Sequence, residues 1–104
     1  MSNTRLQKLL EFIKEQPDDL FLKYALAMEY LGMNDIQKAK NYFEEVIKND
    51  KNHVAAFYQL GKIYENRGEE SSAIGVYEKG LENARKKNDS RSIRELTAAI
   101  DALI

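Results

Sequence analysis

Residues 54–64 read Val54-Ala55-Ala56-Phe57-Tyr58-Gln59-Leu60-Gly61-Lys62-Ile63-Tyr64, and a related stretch, Leu20-Phe21-Leu22-Lys23-Tyr24-Ala25-Leu26-Ala27-Met28-Glu29-Tyr30, lies 34 residues earlier. At that offset Tyr24 falls on Tyr58, Leu26 on Leu60 and Tyr30 on Tyr64. The coincidence continues beyond both stretches, with Ala39 on Ala73, Glu44 on Glu78 and Asn49 on Asn83. Ala27 with Gly61, Phe43 with Tyr77 and Ile47 with Leu81 are conservative matches in the same register. The chain is therefore divided into repeat units of about 20–53 and 54–87, with further material on either side.

Within each unit the apolar residues recur at three- and four-residue steps. Val54, Phe57, Leu60, Gly61 and Tyr64 share one helical face, and Ala73, Tyr77, Gly80 and Leu81 share another. Between these helices Gly68 aligns with Asn34, the two residue types that best adopt the left-handed conformation ending a helix. A connection this short makes neighbouring helices antiparallel, so each unit is expected to be a helical hairpin. Small residues at Ala27, Ala39, Gly61 and Ala73 allow close helix approach, with aromatic rings filling the space beside them. Gly80 is expected at a tight helix crossing, whereas Gly75 has no evident packing reason.

At this length and with these residues the unit resembles the tetratricopeptide repeat, also 34 residues long. The second copy carries the pattern in Phe57, where tryptophan is usual, and in Leu60-Gly61, Tyr64, Ala73 and Tyr77. The first keeps Leu26, Ala27, Tyr30, Ala39 and Phe43 but has Lys23 in the tryptophan slot. Lys51 and Arg85 stand where the closing proline is usual, yet Pro17 precedes Lys51 by one period. Leu9, Phe12 and Ile13 likewise precede Phe43, Val46 and Ile47, so residues 1–17 look like the second helix of a repeat whose first helix is missing. The resemblance implies an all-α fold, a right-handed superhelical stack of antiparallel hairpins with about six helices in a single domain, 1–104.

The flanking segments follow different logic. Residues 89–104 carry one apolar stripe, Ile93, Leu96, Ile100 and Leu103, beside Arg91, Arg94, Glu95 and Asp101, which suits a closing helix with a polar outer face. Asp89 or Ser90 is expected to cap it, or Ser92 with Glu95. The N-terminal helix, with Thr4 and Gln7 as its expected capping pair, has a broad apolar band in Leu6, Leu9, Leu10, Phe12 and Ile13. Packing on the first hairpin is the simpler reading of that band. The alternative is a homodimer, a self-associating unit in which the missing helix is supplied by a second copy.

Composition excludes several functions. Sixteen basic against 17 acidic residues give a formal net charge of −1, without the basic excess that phosphate contact demands. There are no cysteines, so disulfides and thiolate metal sites are ruled out. No run approaches the roughly 20 apolar residues of a membrane span, and the first residues do not read as a signal peptide. A soluble, cytoplasmic protein is expected. Glycine-rich phosphate loops, HExxH, GxSxG and calcium-loop spacings are absent. The acidic pairs Asp18-Asp19 and Glu69-Glu70 suit first helical turns, while Glu44-Glu45 are adjacent and diverge. His53, the one histidine, is expected at the surface beside a helix start. The basic run Arg85-Lys86-Lys87, continued by Arg91 and Arg94, reads as a solvated helix end, with an acidic-peptide contact as the alternative. No cofactor, metal, nucleic acid or enzymatic activity is expected.

Function is implied by the resemblance. In that family the first helices of successive hairpins line a concave groove that holds a peptide of a partner protein. Carried onto this sequence, the groove residues are Phe21, Tyr24, Met28 and Leu31 from the first hairpin. The second hairpin supplies Ala55, Tyr58, Gln59, Lys62 and Glu65. Tyr24 and Tyr58 occupy equivalent slots, and tyrosine gives contact area at low entropic cost. Packing between hairpins is the competing role for both rings. Tyr24, Met28 and Gln59 fill the slots where members that clamp a C-terminal carboxylate carry lysine, asparagine and arginine, so that clamp is not expected.

Overall fold

In the computed structural model, which describes residues 3–104, every regular element is an α-helix. Six are present among the described residues: α1 (Thr4–Glu15), α2 (Leu20–Gly32), α3 (Ile36–Asn49), α4 (Val54–Asn66), α5 (Glu70–Lys86) and α6 (Ser90–Asp101). The all-helical expectation and its helix number hold. The chain forms two compact units, Met1–Asp50 and Lys51–Ile104. The first packs α1 on α2 and α2 on α3, and the second packs α4 on α5 and α5 on α6.

Helix starts are set by side chains that accept an otherwise orphaned backbone N–H. Asp19 accepts from Leu22 N and Asp35 from Lys38 N at the starts of α2 and α3. At α4 the cap is His53, whose Nδ1 accepts from Ala56 N at 3.1 Å. It lies beside the helix start as expected, half-buried and employed as a cap. Asn3, not Thr4, caps α1, with Oδ1 accepting from Leu6 N at 3.0 Å. Its amide is also the better placed group, because it donates onward to Glu29 Oε1 at 2.8 Å and ties α1 to α2. Asp89 caps α6, accepting from Ser92 N at 3.2 Å and from Ser92 Oγ at 2.7 Å. That double contact holds the Asp89 carboxyl below its ordinary pKa. Glu69 stands at the cap position of α5 without a side-chain cap bond, leaving Glu70 in the first turn.

Helix ends repeat one device. Asn34 (φ 62°) and Gly68 (φ 76°) take the left-handed conformation foreseen for them. In each case the following N–H reaches back five residues, Asp35 N to Tyr30 O and Glu69 N to Tyr64 O, both at 2.9 Å. Asn88 (φ 54°) does the same after α5, with Asp89 N donating to Ala84 O at 2.9 Å.

In the first unit Leu22, Ala25, Leu26, Ala27, Tyr30, Ala39, Phe43 and Val46 are buried. In the second, Val54, Ala73, Tyr77, Ala84 and Leu96 form a core against which Ile93 and Ile100 of α6 and Leu103 just beyond it pack. Two glycines belong to that core. A Cβ on Gly80 would stand 3.0 Å from Phe57 Cβ and 3.3 Å from Leu96 Cδ2, the close crossing expected. A Cβ on Gly61 would enter the Tyr77 ring, 2.3 Å from Cε1. Gly75 has nothing within 4 Å of that position.

Candidate functional site

In the first unit the candidate surface is the outer face of α2. Successive turns of a helix place Phe21, Tyr24, Met28 and Leu31 within one arc, opposite the buried Leu22, Leu26 and Tyr30 and flanked by the buried Ala25 and Ala27. Phe21 is 78% exposed and Met28 38% exposed, while Tyr24 and Leu31 are half-buried. α2 has two charged residues, and both are turned onto neighbouring helices: Lys23 Nζ lies 3.8 Å from Glu45, and Glu29 receives Arg5 at 3.1 Å and Asn3. The arc is therefore uncharged and apolar. Tyr24 sits edge-on to Phe43 with centroids 5.7 Å apart, and burial raises its phenol pKa.

In the second unit, Ala55, Tyr58 and Gln59 come together with Val54 of α4 and Ser92, Glu95 and Leu96 of α6. They line a depression of about 190 Å³. Tyr58 meets Tyr77 at 6.0 Å between centroids, and Lys62 Nζ stands over the Tyr58 ring at 5.5 Å. Glu65 has a different occupation, for its carboxylate accepts from the Tyr77 hydroxyl at 2.8 Å. Burial first, and then that bond to a carboxylate, raises the Tyr77 pKa far above the ordinary phenol value.

Ser92, Glu95 and Leu96 are the residues that sequence reasoning left out, having read α6 as a closing helix alone. A signal was present: Asn88-Asp89 repeats the Asn34-Asp35 pair that precedes α3. The 34-residue period does not reach it, because α5 runs to 17 residues where α3 has 14. Among the described residues no group of three or more His, Cys, Asp or Glu is placed to hold a metal ion. No helix among them is long and apolar enough to cross a membrane.

A tetratricopeptide repeat family model matches residues 24–89. A TPR repeat-containing protein of Pseudomonas aeruginosa is 24% identical over 98 residues, covering 94% of this chain and 93% of that protein. The crystal structure of a tetratricopeptide repeat domain protein from Salinibacter ruber is 35% identical, with a TM-score of 0.77 over 82% of this chain and 94% of that one. A solution structure of a Bordetella parapertussis protein shares the fold at 21% identity, with a TM-score of 0.84 over 99% of this chain and 89% of its own. Period, turn geometry and these likenesses agree, and the chain belongs to the tetratricopeptide repeat family.

Proposed function

We propose that the chain is a protein-interaction module that takes up an amphipathic segment of a partner on the exposed face of α2. The observation that carries this reading is α2, which is apolar around most of its circumference although only one face is buried in the hairpin. A helix of that kind normally has both faces covered. Burying exposed apolar area contributes roughly 25 cal/mol per Å², so Phe21 and Met28 are natural anchors for apolar side chains of a ligand. The depression beside Tyr58 and Gln59 is more polar, with Ser92 and Glu95 on its far wall. It suits polar side chains of a ligand bound to the second unit by itself. Protein partners are the general expectation for repeat scaffolds, whose extended surfaces serve binding.

The test is selection of binding peptides from a display library on the whole chain, followed by titration against variants. Tyr24→Ala and Tyr58→Ala are poor probes, since both rings support their own hairpins. Phe21→Ser with Met28→Ser removes the two large exposed apolar side chains of α2 and leaves its buried residues in place. Selected peptides should lose about tenfold or more in affinity for that variant, corresponding to ~1.4 kcal/mol. Undiminished affinity would reject the α2 face.

A further inference from the structure

We propose that α1 pairs with α1 of a second copy of this chain, antiparallel about a two-fold axis, in a weak and salt-sensitive homodimer. This inference uses a surface separate from the α2 and α4 faces and does not rest on the peptide-binding reading. Arg5, Lys8, Phe12 and Glu15 are all exposed, and Phe12 is 53% exposed. Their spacing of three, four and three residues is that of the facing positions in a two-helix coil. They are set among Thr4 and Leu9 around a shallow depression of about 380 Å³ that includes Arg5, Lys8 and Phe12.

The order of charges fixes both occupant and orientation. Cations occupy the first half of the stripe and the anion its end. Laid antiparallel against itself, each Arg5 meets the partner's Glu15, and each Lys8 meets the partner's Phe12. All four layers are then complementary, two as ion pairs and two as cations over rings. The chain already uses the latter contact within itself, with Lys62 over Tyr58 at 5.5 Å and Lys38 over Tyr30 at 5.3 Å. Laid parallel, the stripe sets Arg5 on Arg5, Lys8 on Lys8 and Glu15 on Glu15, which is repulsive in three layers of four. Arg5 holds Glu29 through Nε at 3.1 Å, and its guanidinium carries further N–H donors to offer the partner. Beside the stripe, Leu9 is buried within its own unit on one side of the axis, and the exposed Glu11 of the two copies meet on the other. The Glu11 pair is the single like-charge contact.

A pair of helices this short buries little, which places the association among weak interfaces. Sedimentation equilibrium at low ionic strength should show mass rising toward that of a dimer as concentration approaches about 1 mM. About 1 M salt, where charges are screened within ~3 Å, should return the monomer. Two variants that each remove one negative charge must act in opposite directions. Glu11→Gln should tighten the dimer and Glu15→Gln loosen it, each by roughly threefold in dissociation constant. Phe12→Ser should leave a folded monomer by circular dichroism. A monomer at every concentration, equal responses to Glu11→Gln and Glu15→Gln, or a dimer that survives Phe12→Ser would each overturn the proposal.

Discussion

Three residues of the second unit form a set that is intelligible only together. Tyr77 lies across Gly61 and carries its hydroxyl to Glu65, one turn further along α4. At the equivalent positions of the first unit stand Phe43, Ala27 and Leu31: no hydroxyl to satisfy, no glycine needed, no acceptor supplied. A methyl on Gly61 would overpack this crossing, so Gly61→Ala should lower stability by about 1–3 kcal/mol. Tyr77→Phe in the same chain should recover part of that loss, because the ring no longer has to reach Glu65, and a double-mutant cycle by urea denaturation measures the coupling. Gly75 is the opposite case, in a helix and with open space around it. Gly75→Ala should stabilise by up to ~1 kcal/mol and raise the Tm by roughly 4–8 °C in calorimetry. Asp89 adds a pH dependence whose sign follows from its lowered pKa. The unfolded carboxyl titrates near ~3.9, so the cap contributes above that value and its contribution is lost as pH falls through the lower folded value. Asp89→Asn retains an acceptor for Ser92 N and should flatten the acid limb of a Tm-versus-pH curve.

At the scale of elements, α2, α4 and α5 end alike, with a left-handed residue followed directly by the first residue of the next cap. Such a junction leaves little freedom in how the next helix departs. Gly68 needs no special tolerance for φ 76°, but an L residue with a Cβ does, and Gly68→Ala should cost about 1–2 kcal/mol. Asn34→Gly relieves the same strain in the first unit and should raise the denaturation midpoint slightly. Equivalent roles for Asn49 and Asn83 would be read from the repeat alone, yet the two differ. Asn49 donates to Glu45 O in its own helix, whereas Asn83 is buried and donates to Lys51 O at 2.6 Å, fastening the connection that leads into α4. Lys87 reaches Asn52 O in the same connection, so one member of the basic run serves structure.

At the scale of the molecule, exposed large apolar residues are distributed unevenly. Phe12, Phe21, Met28 and Met33 belong to the first unit, and Ile104 is the only one described in the second. The first unit should therefore bind partner side chains largely through apolar contact. The combined Phe21→Ser and Met28→Ser change should weaken selected peptides while the Tm moves by no more than a few degrees, in keeping with the small effects of exposed substitutions. Calorimetry and titration on the same preparation separate the two effects.

Period, helix number and two of the left-handed turns were legible in the sequence because they depend on residue type at fixed spacing. Leu26, Leu60, Ala39 and Ala73 announce buried faces wherever the rest of the chain goes. Which polar groups would be used, and by whom, was not written there. His53 as a cap, Glu65 as an acceptor and α6 as a wall beside Tyr58 are outcomes of packing, since hydrogen bonds join atoms brought close by the fold and not residues close in the chain. Hydrophobic patterning is a property of one helix at a time; a site is a property of several, and only their tertiary arrangement decided it.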